Sequence, residues 1–86
     1  MKLSYSEIAI HNLEKMDKTE RKLFVNYIEK ILENPNKRHL HFGLTFFVEK
    51  VTKQARIVYN LEKENIYILR CFKTHKEYEK WYKSFK

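Results

Sequence analysis

Residues 54–78 read Q-A-R-I-V-Y-N-L-E-K-E-N-I-Y-I-L-R-C-F-K-T-H-K-E-Y, and their reading decides the fold. Gln54 to Leu61 is rich in β-branched and aromatic side chains and alternates in polarity, as a strand does. Glu62 to Glu64 is a polar turn, and Asn65 to Phe72 is a second strand, so the two form a hairpin. On a strict period of two, Ile66, Ile68, Arg70 and Phe72 are expected on one face, with Tyr67, Leu69 and Cys71 on the other. In the preceding strand Ile57, Tyr59 and Leu61 alternate with Arg56, Val58 and Asn60. The hairpin runs straight into a helix. Thr74 with Glu77 makes a capping box, and Tyr78, Trp81, Tyr82 and Phe85 recur at i, i+3, i+4 and i+7. That aromatic stripe reads as core.

The chain before the hairpin supplies its partners. Leu44 to Val51 (L-T-F-F-V-E-K-V) reads as another strand, and Thr52-Lys53 turns it back. Further toward the N-terminus, Asp17 and Glu20 mark the start of a long helix with an apolar stripe of Leu23, Phe24, Tyr27, Ile28, Ile31 and Leu32. Asn34-Pro35 ends it, because proline disfavours helix in the residue before it. Ser6 caps a shorter helix carrying Ile8, Ala9, Asn12, Leu13 and Met16 at helical spacing. Met1 to Tyr5 alternates as a short strand. The whole is an α+β chain: a short β-strand, a two-helix hairpin, a three-stranded antiparallel meander and a C-terminal helix. Eighty-six residues make one domain, 1–86.

Charge and cysteine usage narrow the function classes. Residues 1–36 carry six basic and six acidic side chains, whereas residues 37–86 carry twelve basic and five acidic. The whole net charge of +7 therefore belongs to the half that contains the hairpin. Such asymmetry suits a polyanion or an acidic protein partner. Cys71 is the single cysteine, so an internal disulfide and a cysteine zinc site are both excluded, and a reducing cytoplasmic setting is expected. No apolar run approaches the roughly 18–20 residues that span a bilayer, and no signal-peptide core is seen at the N-terminus. No metal or other cofactor is expected.

Two side chains in the hairpin segment carry chemistry. Arg56 lies on the first strand and His75 lies just past the second. A guanidinium presents several fixed donors to phosphate oxygens, and an imidazole takes or gives a proton near neutral pH. The stretch N-K-R-H-L-H-F-G over residues 36–43 adds Lys37, Arg38, His39 and His41. These suit a loop that contacts phosphates or bases, with solvated surface residues as the plain alternative. For Arg56 the plain alternative is an ion pair with Glu49 across the hairpin.

The order of elements, the A-R-I-V-Y strand and the C-F-K-T-H segment resemble the RelE/ParE toxin superfamily of toxin–antitoxin systems, most of all its RelE, YoeB and YafQ branch. A-R-I-V-Y is similar to the H-R-L-V-Y strand of YoeB, which puts Arg56 on the catalytic arginine. K-T-H is similar to the G-T-H segment of YafQ, which puts His75 on its catalytic histidine. R-H-L-H-F-G resembles D-H-P-L-Q-G of YafQ, with His39 four residues before the glycine in the same way. Glu49 is the nearest candidate for the catalytic glutamate of YoeB. Lys50, Lys53, Arg70 and Lys73 are part of the lysine and arginine set of RelE.

The resemblance implies a ribosome-associated endoribonuclease that cleaves mRNA by metal-independent attack of the ribose 2′-OH. Arg56 would hold the phosphate, His75 would protonate the leaving oxygen, and His39, His41 or Glu49 would take the 2′-OH proton. Lys37, Arg38, His41, Lys50, Lys53, Arg70 and Lys73 would contact the RNA, and Tyr78 would orient the phosphate or stack on a base. An acidic antitoxin would cover the basic face. Eleven residues follow His75, where YoeB ends in His-Tyr, so this tail is expected to bear on the site. Two other readings stand beside this one: a ParE-type toxin that inhibits gyrase by binding, and a basic RNA- or protein-binding module without chemistry.

Overall fold

A bulge on one strand and two side chains of the first helix organise the architecture. The computed structural model describes residues 2–33 and 46–84. In order they form β1 (Lys2–Tyr5), α1 (Glu7–Glu14), α2 (Lys18–Glu33), β2 (Phe47–Lys50), β3 (Arg56–Glu62), β4 (Asn65–Phe72) and α3 (His75–Lys83). The strands make one sheet in the order β1-β4-β3-β2. β2, β3 and β4 are the expected antiparallel meander. β1 lies parallel to β4, so the sheet is mixed. The expected strand over 44–51 is realised as Phe47–Lys50; Val51 has left the ladder for the turn, and residues 44 and 45 lie outside the described residues.

Local signals set the helices. Ser6 Oγ accepts the Ala9 N–H at 2.9 Å and caps α1. Asp17 and Glu20 bond reciprocally, Glu20 N–H to Asp17 Oδ1 and Asp17 N–H to Glu20 Oε1, which is the complete capping box. The α1–α2 connection is held by Arg21, whose guanidinium donates to the carbonyls of Leu13, Glu14 and Met16. Those carbonyls lie at and just past the C-terminus of α1, where Leu13 O also accepts the Met16 N–H, so a cation there adds a donor and suits the helix dipole. At the β3–β4 hairpin, Glu62 pairs with Asn65, and Lys63 between them takes a left-handed φ of 54°.

α1 and α2 bury one face of the sheet. Ala9, Met16, Phe24, Ile28 and Ile31 pack on Ile57, Tyr59, Ile66, Ile68 and Cys71. Each large apolar side chain among them, such as Phe24 or Ile28, contributes roughly 1.5–3 kcal/mol on leaving water. The stripe of α1 is narrower than its spacing suggests, since Ile8 is half exposed and Asn12 is used for a hydrogen bond rather than for packing.

The face assignment along β4 differs from a strict period of two. Val58 pairs with Arg70 and Tyr59 pairs with Ile68, which leaves Leu69 without an opposite residue. This is a β-bulge, where two residues on one strand oppose one on the other. Beyond it the alternation resumes with the sides exchanged. Ile66, Ile68 and Cys71 face α1 and α2, whereas Leu69, Arg70 and Phe72 face the other way. Around the bulge and past the end of β1, backbone groups of β4 bond to side chains of the α1 segment instead of to a strand. Ser6 Oγ donates to Leu69 O at 2.7 Å, and Asn12 Oδ1 accepts the Cys71 N–H at 3.1 Å.

The second face is covered rather than open. α3 lays Tyr78, Trp81 and Tyr82 on Val58, with Phe46, Val48, Leu69 and Phe72 around them. Phe72 and Trp81 lie 5.8 Å apart between ring centres, as do Phe46 and Trp81 at 5.7 Å. Ile57, Val58 and Tyr59 are consecutive and all buried, which follows from β3 having helices on both sides. The aromatic stripe of α3 is core, as its spacing indicates; Phe85 lies outside the described residues.

Candidate active site

The site forms where β2 ends, β3 begins, β4 ends and α3 begins. The turn from Val51 to Ala55 is closed by Val51 N–H to Ala55 O at 3.0 Å, and Thr52 Oγ1 accepts the N–H groups of Gln54 and Ala55. Arg56 is anchored into this turn through one nitrogen. Its Nη1 donates to the carbonyls of Thr52, Lys53 and Ala55 at 2.9–3.1 Å. No carboxylate pairs with it among the described residues. The guanidinium is thus held by the backbone, with Nη2 and Nε able to meet a ligand.

The start of α3 is tied to the same turn. Thr74 Oγ1 accepts the Glu77 N–H and caps the helix, while the Gln54 side chain accepts the His75 N–H at 3.3 Å. One ring then joins the two candidate residues. Arg56 Cζ lies 5.9 Å from the centre of the Tyr78 ring, within the range of a cation–π contact. His75 meets the same ring edge-on at 5.8 Å between centres. Arg56 and His75 are therefore brought to one place, and both are half-buried. Burial raises the Tyr78 hydroxyl above its usual pKa and Tyr82 adds to the rise, while the Arg56 cation acts against it.

Cations gather around this point. Lys50 lies directly opposite Arg56 in the β2–β3 register, so the two side chains share a face. Lys53 in the turn and Lys73 after β4 are exposed at the same end of the sheet. The charge asymmetry of the two sequence halves becomes, in three dimensions, a positive end of the sheet. The opposite end carries Glu62, Lys63 and Glu64 and is mixed in sign.

No protein-family model matches this sequence, and no curated protein matches it either. Solved structures do match. The isolated RelE toxin of E. coli superposes with a TM-score of 0.72 at 20% identity, covering 99% of this chain and 98% of that one. A metal-bound toxin from Helicobacter pylori superposes at 0.73 with 18% identity, covering 90% of this chain and 97% of that one. RelE in the intact E. coli RelBE toxin–antitoxin complex gives 0.71 at 20% identity over 85% and 95% of the two chains. The chain has a RelE-like fold.

Within this RelE-type fold the remaining expected site residues fall into three groups. Glu49 does not join Arg56. It pairs with Ile57, and directly opposed residues share a face, so it lies on the side of α1 and α2. The same register rules out the Arg56–Glu49 ion pair. Arg70 is turned by the bulge onto the α3 side, where its guanidinium lies 5.9 Å from the Trp81 ring and its Nη1 donates to Leu69 O. It clamps α3 rather than joining the rim. Tyr78 is only 8% exposed, and Phe72, His75, Tyr82 and Arg56 surround its ring, so it positions its neighbours and offers no face to a base. Lys37, Arg38, His39 and His41 lie outside the described residues.

Two residues that matter here carry no signal in the sequence. Gln54 is a polar strand-start residue until its bond to the His75 amide is seen. Arg21 reads as one more charge on the outer face of α2 until its three carbonyl partners appear. Among the described residues no group of three or more His, Cys, Asp or Glu side chains converges on a metal position. No helix among them is long and apolar enough to cross a membrane.

Proposed function

We propose that this protein is the toxin of a toxin–antitoxin pair and acts as an endoribonuclease on mRNA at the ribosome. The observation that supports this reading most is the meeting of Arg56 and His75 around Tyr78 at the positive end of the sheet. The two come from separate strands and helices, and neither is paired with a carboxylate among the described residues. The fold shared with RelE, which was solved in complex with its antitoxin, supports the toxin assignment.

The reaction proposed is an internal phosphoryl transfer. The ribose 2′-oxygen attacks the adjacent phosphorus and forms the O2′–P bond, while the P–O5′ bond breaks. The products are a 2′,3′-cyclic phosphate and a 5′-OH, and the step balances without a metal ion. Arg56 holds the non-bridging oxygens through Nη2 and Nε and stabilises the charge that grows on them. His75 gives its proton to the leaving O5′. The 2′-OH proton goes to His39 or His41, the candidates that the sequence supplies once Glu49 is placed on the far face. Lys50, Lys53 and Lys73 attract the backbone of the RNA, and Lys37 and Arg38 extend the basic set. An acidic antitoxin that covers this end of the sheet would neutralise it.

The test is induction of the wild type, Arg56→Ala, His75→Ala and the double variant in cells, with 5′ ends of mRNA mapped. The wild type is expected to arrest growth and leave 5′-OH ends. Removing one charge stabiliser is expected to slow cleavage about 10²–10³-fold. Growth arrest with intact mRNA, or equal cleavage by the double variant, would exclude the nuclease and favour inhibition by binding.

A further inference from the structure

A second cleft opens beside the site, on the other side of the Phe72–Thr74 segment. Its volume is about 360 Å³, and the described residues that line it are Asn12, Lys15, Cys71, Phe72, Lys73 and Glu77. They come from the C-terminal end of α1, the end of β4 and the first turn of α3. Phe72 belongs to both places, since it pairs with Arg56 in the β3–β4 register and its ring lies 6.1 Å from that of Tyr78. Two other cavities among the described residues lie elsewhere. One is between α1, α2 and β1, around Tyr5, Leu13 and Arg21; the other is at the β3–β4 hairpin, around Lys2 and Glu64.

The donors in the cleft are arranged for an anion. Lys15 and Lys73 are exposed, and neither is paired with a carboxylate among the described residues. Asn12 is fixed by its carbonyl, which accepts the Cys71 N–H, so its amide nitrogen is left to donate. Phe72 and Cys71 add apolar wall. The Cys71 thiol, pushed up to about 12 by burial, stays neutral and offers no negative charge. Glu77 is the one carboxylate, and it lowers the positive potential without cancelling it. The volume lies within the range of small-ligand sites.

We propose that this cleft holds a nucleotide flanking the scissile phosphate, with its phosphate on Lys15, Lys73 and the Asn12 amide. The proposal rests on the nuclease reading and names part of its substrate path. It brings Lys15, from the electrically neutral half of the chain, into the RNA interface. A phosphate held there sets the register of the strand, so that the next linkage falls at Arg56 and His75.

The test uses a 2′-O-methyl RNA hexamer, which binds but is not cleaved. Its affinity is measured across a salt series for the full-length wild type, Lys15→Ala, Glu77→Gln and the control Lys22→Ala on the exposed side of α2. Losing one phosphate contact lowers the slope of log affinity against log salt by about 0.7, which near ~0.1 M salt is about a fivefold loss of affinity. Lys15→Ala should show that loss, Glu77→Gln should tighten binding, and Lys22→Ala should match the wild type. If the wild type binds and cleaves RNA while Lys15→Ala and Glu77→Gln bind like it, the cleft assignment fails and the nuclease reading stands. If the wild type neither binds the hexamer nor leaves cleaved mRNA when induced in cells, both fail.

Discussion

Ser6 does two jobs at once, and separating them tests the account of the fold. Its Oγ accepts the Ala9 N–H at the start of α1 and donates to the carbonyl of Leu69, the unpaired residue of the bulge. Ser6→Ala removes both bonds. The cap is worth about 1 kcal/mol. The bond to a partly buried carbonyl is worth about 1–1.5 kcal/mol. The expected loss is therefore about 2–2.5 kcal/mol, on the order of 10–15 °C in Tm for a domain of this size. Ser6→Gly separates the two terms, because glycine replaces a capping serine at a cost of only a few tenths of a kcal/mol. It should still lose the ~1–1.5 kcal/mol of the Leu69 bond. The assay is urea unfolding followed by circular dichroism, with the m-value checked for constancy. If Ser6→Gly is as stable as the wild type, Ser6 is only a cap, and the claim that α1 stitches the bulge in place is wrong.

Two other perturbations probe the sites of packing. Tyr78→Phe keeps the ring that Arg56 and His75 share, so cleavage should change little, whereas Tyr78→Ala opens a cavity costing about 3–5 kcal/mol and should lower the rate by displacing both residues; comparable rates for Phe and Ala variants, both folded, would remove Tyr78 from its positioning role. Burial raises the Cys71 thiol from 9.0 to about 12, so between those pH values the folded state holds a proton that the unfolded state has released. Stability therefore falls with rising pH across that window, by at most about 1.4 kcal/mol per pH unit from this group. Cys71→Ala should make the alkaline loss shallower, and thermal melts from pH 9 upward that fall in parallel for both proteins would contradict it.

Much of the fold was legible because its signals are local. Ser6, Asp17, Glu20 and Thr74 sit at the caps that their spacing predicts, since a side chain reaching three residues ahead needs no tertiary help. The hairpin, the long helix and the aromatic stripe of α3 follow from periodicity for the same reason. Other features were not legible. The bulge at Leu69 has no marker, because I-L-R-C-F alternates equally well with or without an extra residue, and only pairing with β3 reveals it. One unpaired residue was enough to move Arg70 and Phe72 to the opposite face and to pass Cys71 to the core. The parallel pairing of β1 with β4 joins residues more than sixty apart, beyond what any local pattern carries.

The candidate site divides the same way. That a strand carries an arginine and the helix after the next strand opens on a histidine is a matter of residue type and order, and the sequence determined it. That both adjoin the Tyr78 ring, that Glu49 turns away from them, and that Lys15 and Lys73 line one cleft are matters of register and of which helix covers which face. Those are settled by side chains burying apolar area together across the whole sheet, a sum over distant parts of the chain that no single stretch contains.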